Sequence, residues 1–474
     1  MSRTDAPLEP ILPPSRHGRW WVAGLLAVAA VTRVGLVLAI MSRYHPQTDA
    51  LQFDTLATSL AHGHGFGQAT LPPMIGPTAL RAPLYPLVLA ATYVVFGVHS
   101  YTAALMVNAV LGVAVVALVG VVGAQLLGRR AGGTAMGLAA AYPAMLLTGS
   151  SLQLEPLLTA LCLAGLAAAL QHRRAPRGLL WPLVAGACTG LAVLTREQGF
   201  FFLPVIAWLL WTADRPRPSW RDTVGLRSAL TAAVVAVLVV LPWTIRNELQ
   251  LDAFVPVTTS AGFGLVGTYN ETSEAHRALW IPPYNDPRSA RALLALKDPT
   301  EVRVDAAMRR LSLQIVRESP TYPAQVAFWN FMRGFDLDGG SYTRLIAPYL
   351  PYPPNLLGPA IWSGWLLLAL AALGAATLRI RTALRSIWVI PASLIAFMIV
   401  FLPFSIRYRA LLEPFTLLLA ASAVLALYDG WRASASTTDE DGLVVASQAD
   451  VAAPPRRTRQ LVAADRDPRR GPQA

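Results

Sequence analysis

Residues 48–66 read TDALQFDTLATSLAHGHGF and residues 79–86 read ALRAPLYP. They bracket a polar segment, Asp49–Pro86, caught between long apolar ones and rich in carboxylates, glycines and an arginine. In a chain built for lipid, polar chemistry placed there points to work at a membrane surface, on a substrate held at the lipid boundary.

The composition says that the chain is built for lipid. Hydrophobic residues make up 54% and charged residues 14%, and the mean hydropathy is +0.46. A soluble domain carries roughly a quarter charged residues, so this chain has too little polar surface to be one. Apolar runs recur at approximately 20–42, 100–127, 132–148, 154–170, 179–195, 199–213, 227–246, 356–378, 386–404 and 408–428. Those of 18 residues or more are long enough to cross the hydrocarbon core. The first is a retained helix rather than a signal peptide, given its length, the lack of an A-x-A-like cleavage site and the later runs.

The net charge of +12 is no nucleic-acid footprint, because the basic residues form short clusters between apolar runs. Cys162 and Cys188 both lie in apolar runs, where they read as small packing residues rather than a disulfide or metal site.

Those basic clusters orient the chain. Arg3, Arg16 and Arg19 precede the first run, and Arg129-Arg130, Arg173-Arg174 with Arg177, Arg215 to Arg227 and Arg379 to Arg385 follow later ones. Cytoplasmic loops collect Arg and Lys. With the N-terminus (1–19) inside and ten alternating spans, every cluster falls in the cytoplasm. Pro83–Val98 (PLYPLVLAATYVVFGV) is excluded from the ten. It has two early prolines and is short for a span, so it reads as a helix in the outer interface. The expected architecture is an all-α polytopic membrane protein of the cell membrane: a bundle of about ten transmembrane helices, with the first outer loop (43–99) carrying the interfacial helix.

On that topology the outer face receives Asp49–Pro86, the Ser150–Glu155 corner, Arg196, Arg246-Asn247, Arg407 and a large loop, 247–355. The loop should be a small, partly helical subdomain. Val304, Met308, Leu311 and Ile315 recur at helical spacing before Pro320, and Tyr322–Phe335 is amphipathic. Helices 20–246 form an N-terminal module and 356–428 the C-terminal spans. The tail, 429–474, is rich in Ala, Pro, Arg and Asp and is expected to be disordered.

Within the polar segment, a helix starting at Asp49 puts Phe53, Leu56 and Leu60 on its face. Asp54 points about a hundred degrees away, toward solvent. Asp49 with Gln52 also has the spacing of an N-cap and capping box, so capping and catalysis stand level from local pattern. His62 and His64 flank Gly63, a weak metal signal that a glycine-rich helix end explains better. Arg81 suits a phosphate at headgroup depth, since its planar fork can bind two oxygens; interfacial snorkelling is the plain alternative. Glu155, in SSLQLEPLLTAL at the outer end of a run, is an ionisable group at membrane depth and therefore a site hypothesis. Arg196 in LTREQG, Arg246 in PWTIRN and Arg407 in SIRYRA sit at equivalent outer ends.

The order Asp49, Phe53, Ala57, Leu60, Gly63, Gly65-Phe66, then Arg81-Ala82-Pro83 and Tyr85-Pro86, resembles the first outer loop of GT-C glycosyltransferases. The likeness is to the family-39-like set, which includes protein mannosyltransferases and the lipid A aminoarabinose transferase. It continues through Glu155-Pro156, Thr195-Arg196, Pro242-Trp243, Arg246-Asn247 and Arg407-Tyr408-Arg409, and so covers about residues 15–430. Ala50 departs from the pattern, standing where many members carry a second acid, which speaks against a paired-carboxylate or metal site there.

The resemblance implies an integral membrane enzyme that takes a sugar from a polyprenyl-phosphate carrier on the extracytoplasmic face and passes it to a protein, lipid or glycan acceptor. Asp49 corresponds to the catalytic aspartate. Glu155 corresponds to an acidic position that orients the acceptor or a cation. Arg81, Arg196 and Arg407 correspond to positions assigned to the carrier phosphate. No cofactor is fixed by the pattern, and a divalent cation is left open. The rival from a different class is a transporter or lipid flippase; it sits less well with polar residues gathered at the outer boundary and with the lack of an internal repeat.

Overall fold

Long apolar runs become helices because, in lipid, a helix satisfies its backbone donors and acceptors within a single segment. The computed structural model describes residues 16–67, 76–176, 178–213, 223–350, 352–401 and 405–451. Among these the regular elements are helical, with one isolated antiparallel bridge between Gly67 and Pro77. In the first half they are α1 (Arg16–Ile40), α2 (Thr48–Ala61), α3 (Leu84–Phe96), α4 (Tyr101–Leu127), α5 (Arg129–Ala141), α6 (Pro143–Leu147), α7 (Glu155–Arg174), α8 (Leu180–Thr195), α9 (Leu203–Trp211) and α10 (Thr223–Leu251). The large loop contributes α11 (Ala261–Thr268), α12 (Glu271–Ala275), α13 (Pro287–Leu294), α14 (Glu301–Glu318), α15 (Tyr322–Gly334) and α16 (Ser341–Ile346). Last come α17 (Pro354–Ala375), α18 (Leu378–Thr382), α19 (Val389–Phe401), α20 (Ile406–Arg409) and α21 (Glu413–Val451).

Among the described residues, five segments are long and apolar enough to cross a membrane: Gly18–Arg43, Tyr101–Leu127, Thr223–Leu251, Pro354–Ala375 and Glu413–Ser434. The other expected runs are helical in the same order but shorter or more polar. The run 132–148 is broken at Tyr142 into α5 and α6, where Pro143 cannot donate a backbone hydrogen bond. Pro83–Val98 becomes α3, whose 13 residues rise about 20 Å, short of the roughly 30 Å hydrocarbon core. Outward faces are apolar, as a lipid-facing surface requires: Trp20, Trp21, Val28, Val31 and Leu38 on α1 are all exposed, as are Val234, Val237 and Leu238 on α10.

The bundle packs α4 against α1, α5 and α7, then α7 against α8, and α8 against α10. Small residues let the backbones close up. A Cβ on Gly132 of α5 would stand 2.5 Å from the Gly120 carbonyl oxygen of α4. This is the membrane device of exchanging side chain for backbone proximity.

Helix α7 sets the polarity of the bundle. Glu155 opens it and Arg173-Arg174 close it, so its 20 residues hold the two about 30 Å apart. At the basic end, Arg173 Nη1 donates to the Thr212 carbonyl at 2.8 Å and Arg174 Nη2 donates to the Gln125 carbonyl at 2.6 Å, which joins the ends of α4, α7 and α9. The opposite end carries the polar segment and the large loop.

The loop has small cores of its own. Met308, Leu311 and Ile315 of α14 bury with Val266, and Tyr322 and Val326 of α15 bury with Tyr269 and Ala278. Helix α14 ends at Glu318, ahead of Pro320.

The chain divides into two units, Met1–Leu425 and Ala426–Ala474. In the second, where composition predicts disorder, the described residues are helical to Val451; residues 452–474 lie outside the described ones.

Candidate active site

Helix α2 begins one residue before the position read from sequence, at Thr48, with Gln47 as N-cap and no side-chain capping bond. Asp49 and Gln52 therefore do not form a capping box. Their common face instead holds Arg81: its Nη2 donates to Asp49 Oδ1, and its Nε donates to Gln52 Oε1 at 2.7 Å. The guanidinium also lies 5.7 Å from the centre of the Phe53 ring, one turn on.

Arg81 is steadied from the large loop. Glu301, the first residue of α14, accepts from the Ala79 N–H at 2.9 Å, from Thr78 Oγ1 at 2.5 Å and from Thr259 Oγ1. Arg246 donates to the Phe66 carbonyl at 2.6 Å and to the Thr78 carbonyl at 2.7 Å, with Trp243 stacked against it at 4.8 Å. The two flanks of segment 68–75 are thus clasped by α10, and the stretch leading to Arg81 by α14.

Arg407, in α20, completes the site. Its Nη1 donates to Asp49 Oδ2 at 2.6 Å and its Nε donates to Glu155 Oε1 at 2.6 Å. Arg196 Nη1 reaches the same Glu155 oxygen at 3.0 Å, and its guanidinium lies 4.3 Å from the centre of the Tyr408 ring. All five residues singled out in the sequence (Asp49, Arg81, Glu155, Arg196 and Arg407) stand in one continuous ion-pair network.

Three guanidiniums against two carboxylates leave the network one positive charge in excess, an electrostatic setting for an anion. Exposure is graded across it. The Asp49 and Arg81 side chains are 21% and 24% exposed, whereas those of Glu155 and Arg407 are 4% and 7% exposed. The first pair forms an accessible rim and the second a floor. Burial pushes the Asp49 carboxyl up, but Arg81 and Arg407 overcome it and hold the group well below the usual carboxylate range.

Glu155 Oε2 is buried and has no hydrogen-bond partner among the described residues. Glu155 lines two narrow cavities. One, of about 20 Å³ and large enough for a water molecule, is shared with Arg33, Thr148, Thr159 and Glu413. The other is shared with Arg196, Gln198 and Tyr408.

Asp54 is the clear departure from the sequence reading. It does not face solvent but is 3% exposed, because α3 and the start of α4 close over it. Tyr93 Oη donates to its Oδ1 at 2.5 Å, Tyr101 Oη lies 3.3 Å from Oδ2, and His99 Nδ1 lies 3.3 Å from Oδ1. The helix ends at Ala61, with Gly63 and Gly65 at φ of 76° and 83°, and His62 and His64 stack on each other. Among the described residues no group of three or more His, Cys, Asp or Glu side chains could hold a metal ion.

A second buried network was missed. Arg409 Nε donates to Glu413 Oε1 at 2.5 Å, its Nη1 to Asp336 Oδ2 at 3.1 Å and to the Gly334 carbonyl at 3.0 Å, while Tyr142 Oη donates to Glu413 Oε1 at 3.0 Å. Glu413 carried the same signal as Glu155, an acid at the end of an apolar run. Gln52 carried only its capping-box spacing and Glu301 no signal, because their partners are distant in sequence.

A sequence model of the dolichyl-phosphate-mannose-protein mannosyltransferase family matches residues 80–245. That segment contains Arg81, Glu155 and Arg196; Asp49 and Arg407 lie outside it. No curated protein matches by sequence. In fold, the chain is similar to the archaeal oligosaccharyltransferase AglB of Archaeoglobus fulgidus in complex with an inhibitory peptide and a dolichol-phosphate. The TM-score is 0.54 at 13% identity, covering 90% of this chain and 52% of that one. The Archaeoglobus fulgidus oligosaccharyltransferase complex with Zn and sulfate gives 0.52 at 14% identity, covering 90% and 51%. The chain thus spans about half the length of these relatives. ArnT from Cupriavidus metallidurans bound to undecaprenyl phosphate aligns over 86% of this chain and 78% of that one at 15% identity, with a TM-score of 0.40 that carries no fold argument. The resemblance to GT-C glycosyltransferases read from the motifs returns in both the family match and the fold.

Proposed function

We propose that this protein, of GT-C type by its family segment and its fold, is a membrane glycosyltransferase that moves a sugar from a polyprenyl-phosphate carrier to an acceptor on the extracytoplasmic face. The observation that carries the proposal is the convergence of Asp49, Arg81, Glu155, Arg196 and Arg407 in one cationic network at the end of the bundle opposite the Arg173-Arg174 cluster. Basic clusters mark the cytoplasmic side, so the network belongs to the outer one.

In the proposed reaction an acceptor hydroxyl attacks the anomeric carbon while the bond from that carbon to the phosphate oxygen breaks. The configuration inverts, Asp49 takes the hydroxyl proton, and the carrier leaves as polyprenyl phosphate. A positioned carboxylate suits proton removal, and guanidiniums suit the charge that grows on the leaving phosphate. The resting network adds a condition. Asp49 is a weak base while Arg81 and Arg407 each hold one of its oxygens. A donor phosphate that draws those guanidiniums to itself releases the carboxylate, so the base reaches strength as the leaving group is bound. Glu155, with one oxygen unpartnered, is the group left to orient the acceptor or a cation.

The test uses membranes containing the full chain, supplied with labelled polyprenyl-phosphate sugars. Asp49→Asn should abolish release of the free carrier while abundance and insertion stay normal. Near-normal release by that variant would sink the assignment.

A further inference from the structure

A third cavity lies outside the site just described, in the large loop. It measures about 410 Å³ and is lined by Arg277, Trp329, Arg333, Leu337, Asp338 and Ser341. That is within the range of small-molecule sites, roughly 300–1,000 Å³.

Its polar groups are built, not incidental. Arg333, 7% exposed, spends its guanidinium on backbone carbonyls: Nη1 donates to Ala278 at 2.7 Å and Nη2 donates to Arg277. Those two residues stand at φ of 57° and 56°, a left-handed conformation that side chains with a Cβ rarely adopt. Consecutive strain of this kind persists only where the surroundings enforce it, and it gathers at functional positions. The Arg277 guanidinium lies over the Trp329 ring, 5.3 Å from the centroid. Arg277 is exposed, and among the described residues its side chain makes no hydrogen bond or ion pair. It is a cation held on an aromatic platform with its donors free.

The one carboxylate among the lining residues, Asp338, is hydrogen-bonded within its own turn. Asp338 Oδ1 accepts the Gly340 N–H at 3.1 Å, and Oδ2 accepts Ser341 Oγ at 2.6 Å and the Tyr342 N–H at 3.0 Å. Against it stand the Arg277 and Arg333 guanidiniums, which leave the lining one positive charge in excess. One apolar side chain of the lining, Leu337, is 46% exposed.

We infer that this cavity binds an oxyanion of the phosphate class, taken by the Arg277 guanidinium. Phosphate and guanidinium match in geometry, two oxygens against two parallel N–H donors. Two sources share that chemistry: an anionic lipid headgroup, whose glycerol would meet the exposed Leu337, and a soluble phosphate. The inference does not depend on sugar transfer at Asp49.

The experiment takes the full chain in detergent micelles and measures retention of phosphatidylglycerol against phosphatidylcholine by native mass spectrometry, with and without inorganic phosphate. The informative variant is Arg277→Gly, which removes the guanidinium at a position whose backbone favours glycine. A decisive result is about tenfold weaker retention of phosphatidylglycerol, the scale of one lost charge-assisted contact. Arg291→Gln, an exposed arginine elsewhere in the loop, should retain it normally. Trp329→Leu, which leaves the charge but removes its platform, should fall between. Competition by inorganic phosphate assigns recognition to the phosphate alone; Arg277-dependent retention without competition assigns it to the whole headgroup. Phosphate binding that needs Arg277, with no preference between the lipids, makes the ligand soluble. Equal binding of both probes by the unaltered chain and Arg277→Gly overturns the inference, as does equal loss in Arg291→Gln.

Discussion

The guanidinium of Arg407 bridges Asp49 and Glu155, donating through Nη1 to one and through Nε to the other, each at 2.6 Å. One planar cation thus joins the rim of the candidate site to its floor. Both carboxylates depend on it, since among the described residues Glu155 pairs otherwise only with Arg196 and Asp49 only with Arg81.

Arg407→Gln should be costly for that reason. It leaves two carboxylates near one another with one guanidinium each, and breaking a buried ion pair costs about 3–5 kcal/mol. Thermal unfolding of the purified chain should show a large drop in midpoint. Arg407→Lys should recover part of the stability but little transfer, because an ammonium cannot span both acids in a plane.

Asp49 makes a prediction about pH. Its folded-state carboxyl is held below the ordinary value of 3.8, so the stability it contributes is fully present above that value and drains away as pH falls toward the lower folded one. The difference in unfolding midpoint between the unaltered chain and Asp49→Asn should therefore be flat from pH 5 to 7 and shrink below about pH 4. A difference that shrank instead on going from pH 5 to 7 would reverse the sign and refute the pairing with Arg81 and Arg407.

Tyr93→Phe tests the buried anchor beneath α2. The lost hydroxyl donates to a buried carboxylate, and such a bond is worth about 1.5–3 kcal/mol. The variant should unfold at a lower temperature yet retain the donor KM when assayed well below its midpoint, since Asp54 lies off the face that carries Asp49.

Glu301→Gln should do the reverse. Glu301 accepts from Thr78, from the Ala79 N–H and from Thr259, and so fixes the segment that ends in Arg81. An amide has one acceptor oxygen where the carboxylate has two. The expected result is a several-fold rise in donor KM with a midpoint shift of only about 1 kcal/mol in stability. Glu301→Asp, which keeps both oxygens, should recover part of the KM.

What the sequence alone determined follows from local physics. Apolar length and arginine placement are properties of a segment, and they located the helices and marked one end of the bundle as basic; the resemblance to GT-C glycosyltransferases then singled out Asp49, Arg81, Glu155, Arg196 and Arg407. What those residues do to one another was decided only by tertiary structure. Asp49 and Arg407 lie 358 positions apart, and no periodicity joins them. The same holds where the reading failed. Asp54 was assigned to solvent from the phase of α2 alone, whereas its burial is set by α3 and α4. Asp49 and Gln52 had the spacing of a cap, and a hydrogen-bonding pair at three residues' separation serves a helix end or an incoming arginine equally well until the arginine is in place. A helix presents a side chain in a direction; what meets it there comes from elsewhere in the chain.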